Sequence, residues 1–115
     1  MSKLPVEFLK HILDEINYVL KQCEDIDEVY FSQDPTLQRA FVRSLEIIGE
    51  ATKNLAPDFT AKYHDVNWKN MAGMRDRLIH GYFGVDYEIV WDVVKNELSS
   101  LKPKIEELIV LSSAE

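Results

Sequence analysis

Residues 75 to 82 read Arg75-Asp76-Arg77-Leu78-Ile79-His80-Gly81-Tyr82, a run that gathers two guanidiniums, a carboxylate, an imidazole and a phenol. A guanidinium grips phosphate through paired hydrogen bonds. An imidazole titrates near neutrality and is suited to taking or giving a proton. The surrounding charge fits an anionic ligand better than the chain as a whole does. The net charge is −7, which taken alone argues against a nucleic-acid partner. Residues 1–30 hold three lysines and seven acids, and residues 83–115 repeat those counts, whereas residues 31–82 hold seven lysines and arginines against six acids. All four arginines, Arg39, Arg43, Arg75 and Arg77, lie in that middle portion. For most of these residues a solvated mixed-charge surface is explanation enough.

The segment needs an element to hold it. Asn67 can cap a helix running from Trp68 to about His80, with Gly81 as its stop. On an ideal wheel Met71, Met74 and Leu78 share one face, with Trp68 and Ile79 beside them, and this is core. Arg75 falls inside the same arc. A guanidinium there requires an acid from another helix, such as Glu46 or Glu50, or a cleft that opens onto it. Lys69, Gly73, Asp76 and His80 form the opposite stripe, which sets Asp76 four residues before His80 to orient its imidazole. A glycine inside a helix is costly, so Gly73 marks a close approach by a substrate or another helix. The wheel separates Arg75 from His80 by about 140°, so a single ideal helix does not aim both at one point. A lone histidine at a helix end is, by itself, more often structural or solvated than catalytic.

Three further helices complete the expected frame. Residues 6–23 place Phe8, Leu9, Ile12, Leu13, Ile16, Val19, Leu20 and Cys23 at three- and four-residue steps, and the acidic stretch Glu24–Glu28 ends that helix. Asp34-Pro35 reads as a cap and first-turn proline for a helix to about Leu55. The stretch from Asn54 to Asp65 is turn-rich around Pro57, with room for a short helical turn. Asp86 caps the last helix, which Pro103 kinks or interrupts before Ile105, Leu108 and Ile109 resume its period. The sum is an all-α, up-and-down antiparallel bundle of four main helices, with residues 1–115 forming a single domain.

No apolar run approaches the roughly 20 residues of a membrane span, and the N-terminus lacks a signal-peptide pattern. The lone Cys23 sits at an apolar helix position, which reads as packing and fits a reducing compartment, so the cytoplasm is expected. There is no P-loop, no G-x-G-x-x-G, no G-x-S-x-G and no cluster at metal-ligand spacing, so neither cofactor nor metal is expected.

With these residues in place, Arg75-x4-His80-x-Tyr82 with the polar Asp76 after the arginine resembles the R-x4-H-x-Y signature of HepT-like toxins in the HEPN superfamily. The surroundings are similar too: Trp68 seven residues before the arginine, Met74 just before it, Tyr82-Phe83 and Val85-Asp86 after it, and Trp91 in the next helix. Ala40 to Arg43 and Glu46 to Ala51 resemble the family's second helix, so the likeness covers nearly the whole chain.

The resemblance implies a homodimeric bundle in which two motif copies meet at an interfacial cleft, and metal-independent cleavage of RNA by an endoribonuclease toxin. Arg75 would bind the scissile phosphate and His80 would move a proton, with Asp76 in support. The RNA's own 2′-hydroxyl would be the nucleophile. The resemblance also implies a cognate minimal nucleotidyltransferase antitoxin that silences the toxin by adenylylating Tyr82. The alternative it leaves is a non-catalytic HEPN module that binds a nucleotide or a nucleotidyltransferase subunit.

Overall fold

A computed structural model describes residues 4–79 and 84–113. The first helix, α1 (Pro5–Cys23), carries Pro5 in its first turn, where a missing N–H costs nothing, and buries Leu9, Ile12, Ile16, Val19 and Cys23. A short α2 (Glu28–Ser32) follows, capped by the Asp27 carboxylate, which accepts from the Tyr30 amide. Then α3 (Pro35–Lys53) opens on Asp34, whose side chain accepts from the Leu37 amide at 3.0 Å. This is the expected cap. Phe41, Leu45 and Ile48 of α3 are fully buried, and α1 lies along it.

The turn-rich stretch contains α4 (Pro57–Lys62). Next come two five-residue helices, α5 (Trp68–Ala72) and α6 (Met74–Leu78), with Gly73 between them. The last helical segment runs unbroken from α7 (Tyr87–Asp92) through a π-helical stretch (Val93–Leu98) into α8 (Ser99–Ser113). Asp86 caps it as expected, accepting from the amides of Glu88 and Ile89. Pro103 lies inside α8 and does not interrupt it, because Ile105 and Leu108 remain buried beyond it. The fold is all-α: a few long helices, no sheet, and one isolated bridge among the described residues. No helix among those residues is long and apolar enough to cross a membrane.

Candidate active site

The largest departure from the sequence reading lies where the chemistry was expected. The helix predicted from Trp68 to His80 is broken at Gly73 and over by Leu78. Asn67 caps α5 by accepting from the Asn70 amide at 3.0 Å. Gly73 then takes φ −86° and ψ 12°, outside helical geometry, and α6 starts afresh. Gly49 of α3 is packed against the residues on either side of Gly73 so tightly that a Cβ at Gly49 would lie 3.3 Å from the Met71 carbonyl oxygen and 3.5 Å from Met74 Cβ. The close approach by another helix is thus admitted by Gly49; a Cβ at Gly73 would meet only the Lys69 and Asn70 carbonyls of its own preceding turn, at 3.4 and 3.9 Å.

Beyond α6, Ile79 is extended (φ −109°, ψ 125°) and pairs with Val85 in an antiparallel bridge. The Asp86 amide donates to the Leu78 carbonyl at 2.8 Å beside it. Gly84, next to Val85, has φ +92°, a conformation glycine adopts without strain. His80, Gly81, Tyr82 and Phe83 fall outside the described residues, as do the helix stop expected at Gly81 and the roles expected of His80 and Tyr82. The helix expected to run on from Asp76 to about His80 ends at Leu78.

The structure also corrects the reading of Arg75, which is exposed, whereas Met71, Met74 and Leu78 of the expected apolar arc are all buried. Arg75 pairs with neither Glu46 nor Glu50; Glu50 instead meets Lys53 at 3.3 Å. Asp76 is exposed beside it.

Arg77 behaves in the opposite way. Its Nη1 and Nη2 donate to Glu97 Oε1 and Oε2 at 2.9 and 2.6 Å, the forked geometry particular to arginine. Glu97 Oε1 also accepts from Asn70 Nδ2 at 3.2 Å. The hydrogen bond that Arg77 donates to Glu97 raises the Arg77 pKa further above its ordinary value. Neither Glu97 nor Asn70 was singled out from sequence. A signal existed: Glu97 follows Val94 by three residues and precedes Leu101 by four, so it interrupts an apolar stripe.

A groove of about 300 Å³ separates α5 and α6 from the π-helical stretch, lined by Asn67, Asn70, Met71, Met74, Glu97 and Lys104 among others. A second depression of about 460 Å³, around His64 and Lys104, contains neither arginine of the segment. Among the described residues no three His, Cys, Asp or Glu side chains gather where they could hold a metal ion. Cys23 is buried, and burial pushes its thiol above the ordinary range.

An all-α chain that exposes one arginine of an R-x4-H-x-Y segment and clamps the other has the features of a HEPN-type domain. The comparisons narrow this to a family. The model of the family described as ribonuclease HepT-like matches residues 10–108, and the chain belongs to that family. "Putative RNase TTE0752" of Caldanaerobacter subterraneus is 48% identical over 107 residues, covering 93% of this chain and 96% of the relative. "Putative RNase MJ0127" of Methanocaldococcus jannaschii is 47% identical over 102 residues, covering 89% and 84%. "Probable ribonuclease HepT" of Thermococcus cleftensis is 41% identical over 108 residues, covering 94% and 98%. No solved structure matches.

Proposed function

We propose that this protein is a metal-independent endoribonuclease, the toxin of a pair whose antitoxin is a minimal nucleotidyltransferase. The observation that carries the reading is Arg75, exposed on α6 without a carboxylate partner among the described residues, in an intact motif of a HepT-like family member. Arg75 holds the scissile phosphate and offsets the charge that grows on it. The 2′-oxygen attacks phosphorus, a 2′-O–P bond forms and the P–O5′ bond breaks. His80 takes part by removing the proton from the 2′-hydroxyl or delivering one to the departing 5′-oxygen. Asp76 supports the pair. One helical domain spans residues 1–115 and acts as a homodimer, so that an arginine and a histidine from different protomers can serve one phosphate. Tyr82, two residues past His80, receives AMP from the antitoxin; the added phosphodiester then competes with RNA for Arg75.

The experiment is cleavage of RNA by the purified protein in EDTA, wild type against His80→Ala, with mass in solution measured in parallel. The reading expects cleavage by the wild type, its loss by about 10²–10⁴-fold in the variant, and a particle of twice 13.4 kDa. Binding of RNA or nucleotide without any cleavage would favour the non-catalytic module instead.

A further inference from the structure

Two arginines flank Asp76 on α6: Arg75 is exposed, and Arg77 is half-buried and paired. Arg77 is engaged by both nitrogens of its fork, and the acid that engages it also takes Asn70. Asn70 belongs to α5 and Arg77 to α6, so Glu97 bonds to both sides of the Gly73 break. Helices of five residues do not hold their own geometry in water. The angle between these two is set by what they pack against. On one side that is Gly49 of α3, at van der Waals contact. On the polar side it is Glu97, carried on the π-helical stretch Val93–Leu98. Wide π turns inside α-helices are rare and frequently lie at functional sites.

We propose that Glu97 is a positioning residue for RNA cleavage: by fixing Arg77 and Asn70 together it makes α6 present Arg75, and not Arg77, to the scissile phosphate. The proposal rests on the reading of Arg75 as the phosphate-binding group. Without the carboxylate, α6 loses its polar tie to the helical segment beyond residue 86. A second guanidinium is also released two residues from the first. Both effects act on the same step. The loosened helix misplaces Arg75, and the freed Arg77 binds backbone phosphate in an unproductive register. A change that only destabilised the fold would lower the amount of active enzyme and leave the turnover of the folded fraction alone. Loss of the clamp lowers kcat without raising KM, because the RNA still meets arginine.

The test is steady-state cleavage of a quenched-fluorophore RNA oligonucleotide of mixed sequence, with thermal melting of each variant. Glu97→Gln keeps the shape and a carbonyl acceptor but loses the charge and one acceptor of the fork. It is expected to lower kcat by roughly 10²-fold, the cost of about 1 Å of misplacement, with KM equal to or below wild type. The exchange Arg77→Glu with Glu97→Arg restores a pair of the same geometry and is expected to recover most of the lost kcat. Should the exchange not fold, Glu97→Asp decides, since its shorter arm keeps the charge but cannot reach both nitrogens, and an intermediate kcat is expected. Wild-type kcat in Glu97→Gln, or a folded exchange variant no better than the single one, overturns the proposal. Arg75→Ala run alongside separates the two readings. If it is inactive while Glu97→Gln is fully active, the clamp alone is wrong. If it retains full activity, the phosphate-binding reading falls and takes the clamp's role with it.

Discussion

The Asp86 amide lies 2.8 Å from the Leu78 carbonyl oxygen, so the last residue of α6 is hydrogen-bonded directly to the cap of the following helix. The helix that carries the motif and the cap of α7 are thus joined by one bond. The Asp86 amide makes this bond beside the Ile79–Val85 bridge, and the Asp86 carboxylate satisfies two amides at the start of α7.

Asp86→Ala removes that carboxylate and leaves the Glu88 and Ile89 amides to water. The expected cost is about 1 kcal/mol, read as a drop of roughly 4 °C in melting temperature. Asp86→Asn, which keeps an acceptor oxygen, should melt close to wild type.

Arg75 and Arg77 should differ in stability when each is replaced by alanine. Arg75 is exposed, so its loss should leave unfolding free energy within about 0.5 kcal/mol while cleavage falls by about 10²–10³-fold. Arg75→Lys should be similarly poor, because an ammonium keeps the charge without the fork. Arg77→Ala breaks a partly exposed ion pair, at a stability cost of up to about 1 kcal/mol, visible in urea melts. A folded Arg75→Ala that cleaves as well as wild type would contradict the assignment.

Gly49→Val pushes branched carbons into a place where even a Cβ is 3.3 Å from the Met71 carbonyl. Overpacking of this kind typically costs about 1–3 kcal/mol. The displaced element is the α5–α6 break, so cleavage by the fraction still folded should fall as well. Circular dichroism melts together with rates corrected for folded fraction would separate the two effects.

Cys23 gives a pH dependence of known sign. Burial holds its thiol pKa above the ordinary value, with the Lys95 charge opposing weakly. The folded state therefore keeps the proton longer than the unfolded state does. The stability this contributes is fully present below the unfolded thiol pKa and is lost as pH rises through the folded value. At pH 8 a thiol-specific disulfide reagent should react slowly with native protein and fast in urea. Rapid reaction of the native chain would show that Cys23 is more accessible than its burial indicates.

The parts of this molecule that were legible in sequence are those decided within one turn of chain. Asp34, Asn67 and Asp86 cap helices because an oxygen on a short side chain reaches amides two or three residues on. The core positions of α1 and α3 follow from spacing alone. What could not be read is decided across the fold. Gly73 as an isolated residue is compatible with a continuous helix, and nothing in its residue type shows that Gly49 of α3 packs against Met71 and Met74 on either side of it. The Arg77–Glu97 pair spans 20 residues of sequence, beyond the reach of any wheel. The π-helical stretch leaves no mark in residue type, and α2 is too short to show a period.

The two tryptophans sit in separate aromatic clusters, which gives the protein a pair of built-in optical reporters. Trp68, the first residue of α5, is buried beside Phe59 and donates its indole N–H to the Tyr63 carbonyl at 2.8 Å. Trp91 is half-buried against Phe31, with the Lys95 ammonium 5.6 Å from its ring centre. Emission from a chain keeping only Trp68 follows the docking of the segment that carries the motif. Emission from one keeping only Trp91 follows the closure of α2 against the helix after residue 86. Heating both chains would resolve whether the segment that carries the motif lets go before the rest of the fold does.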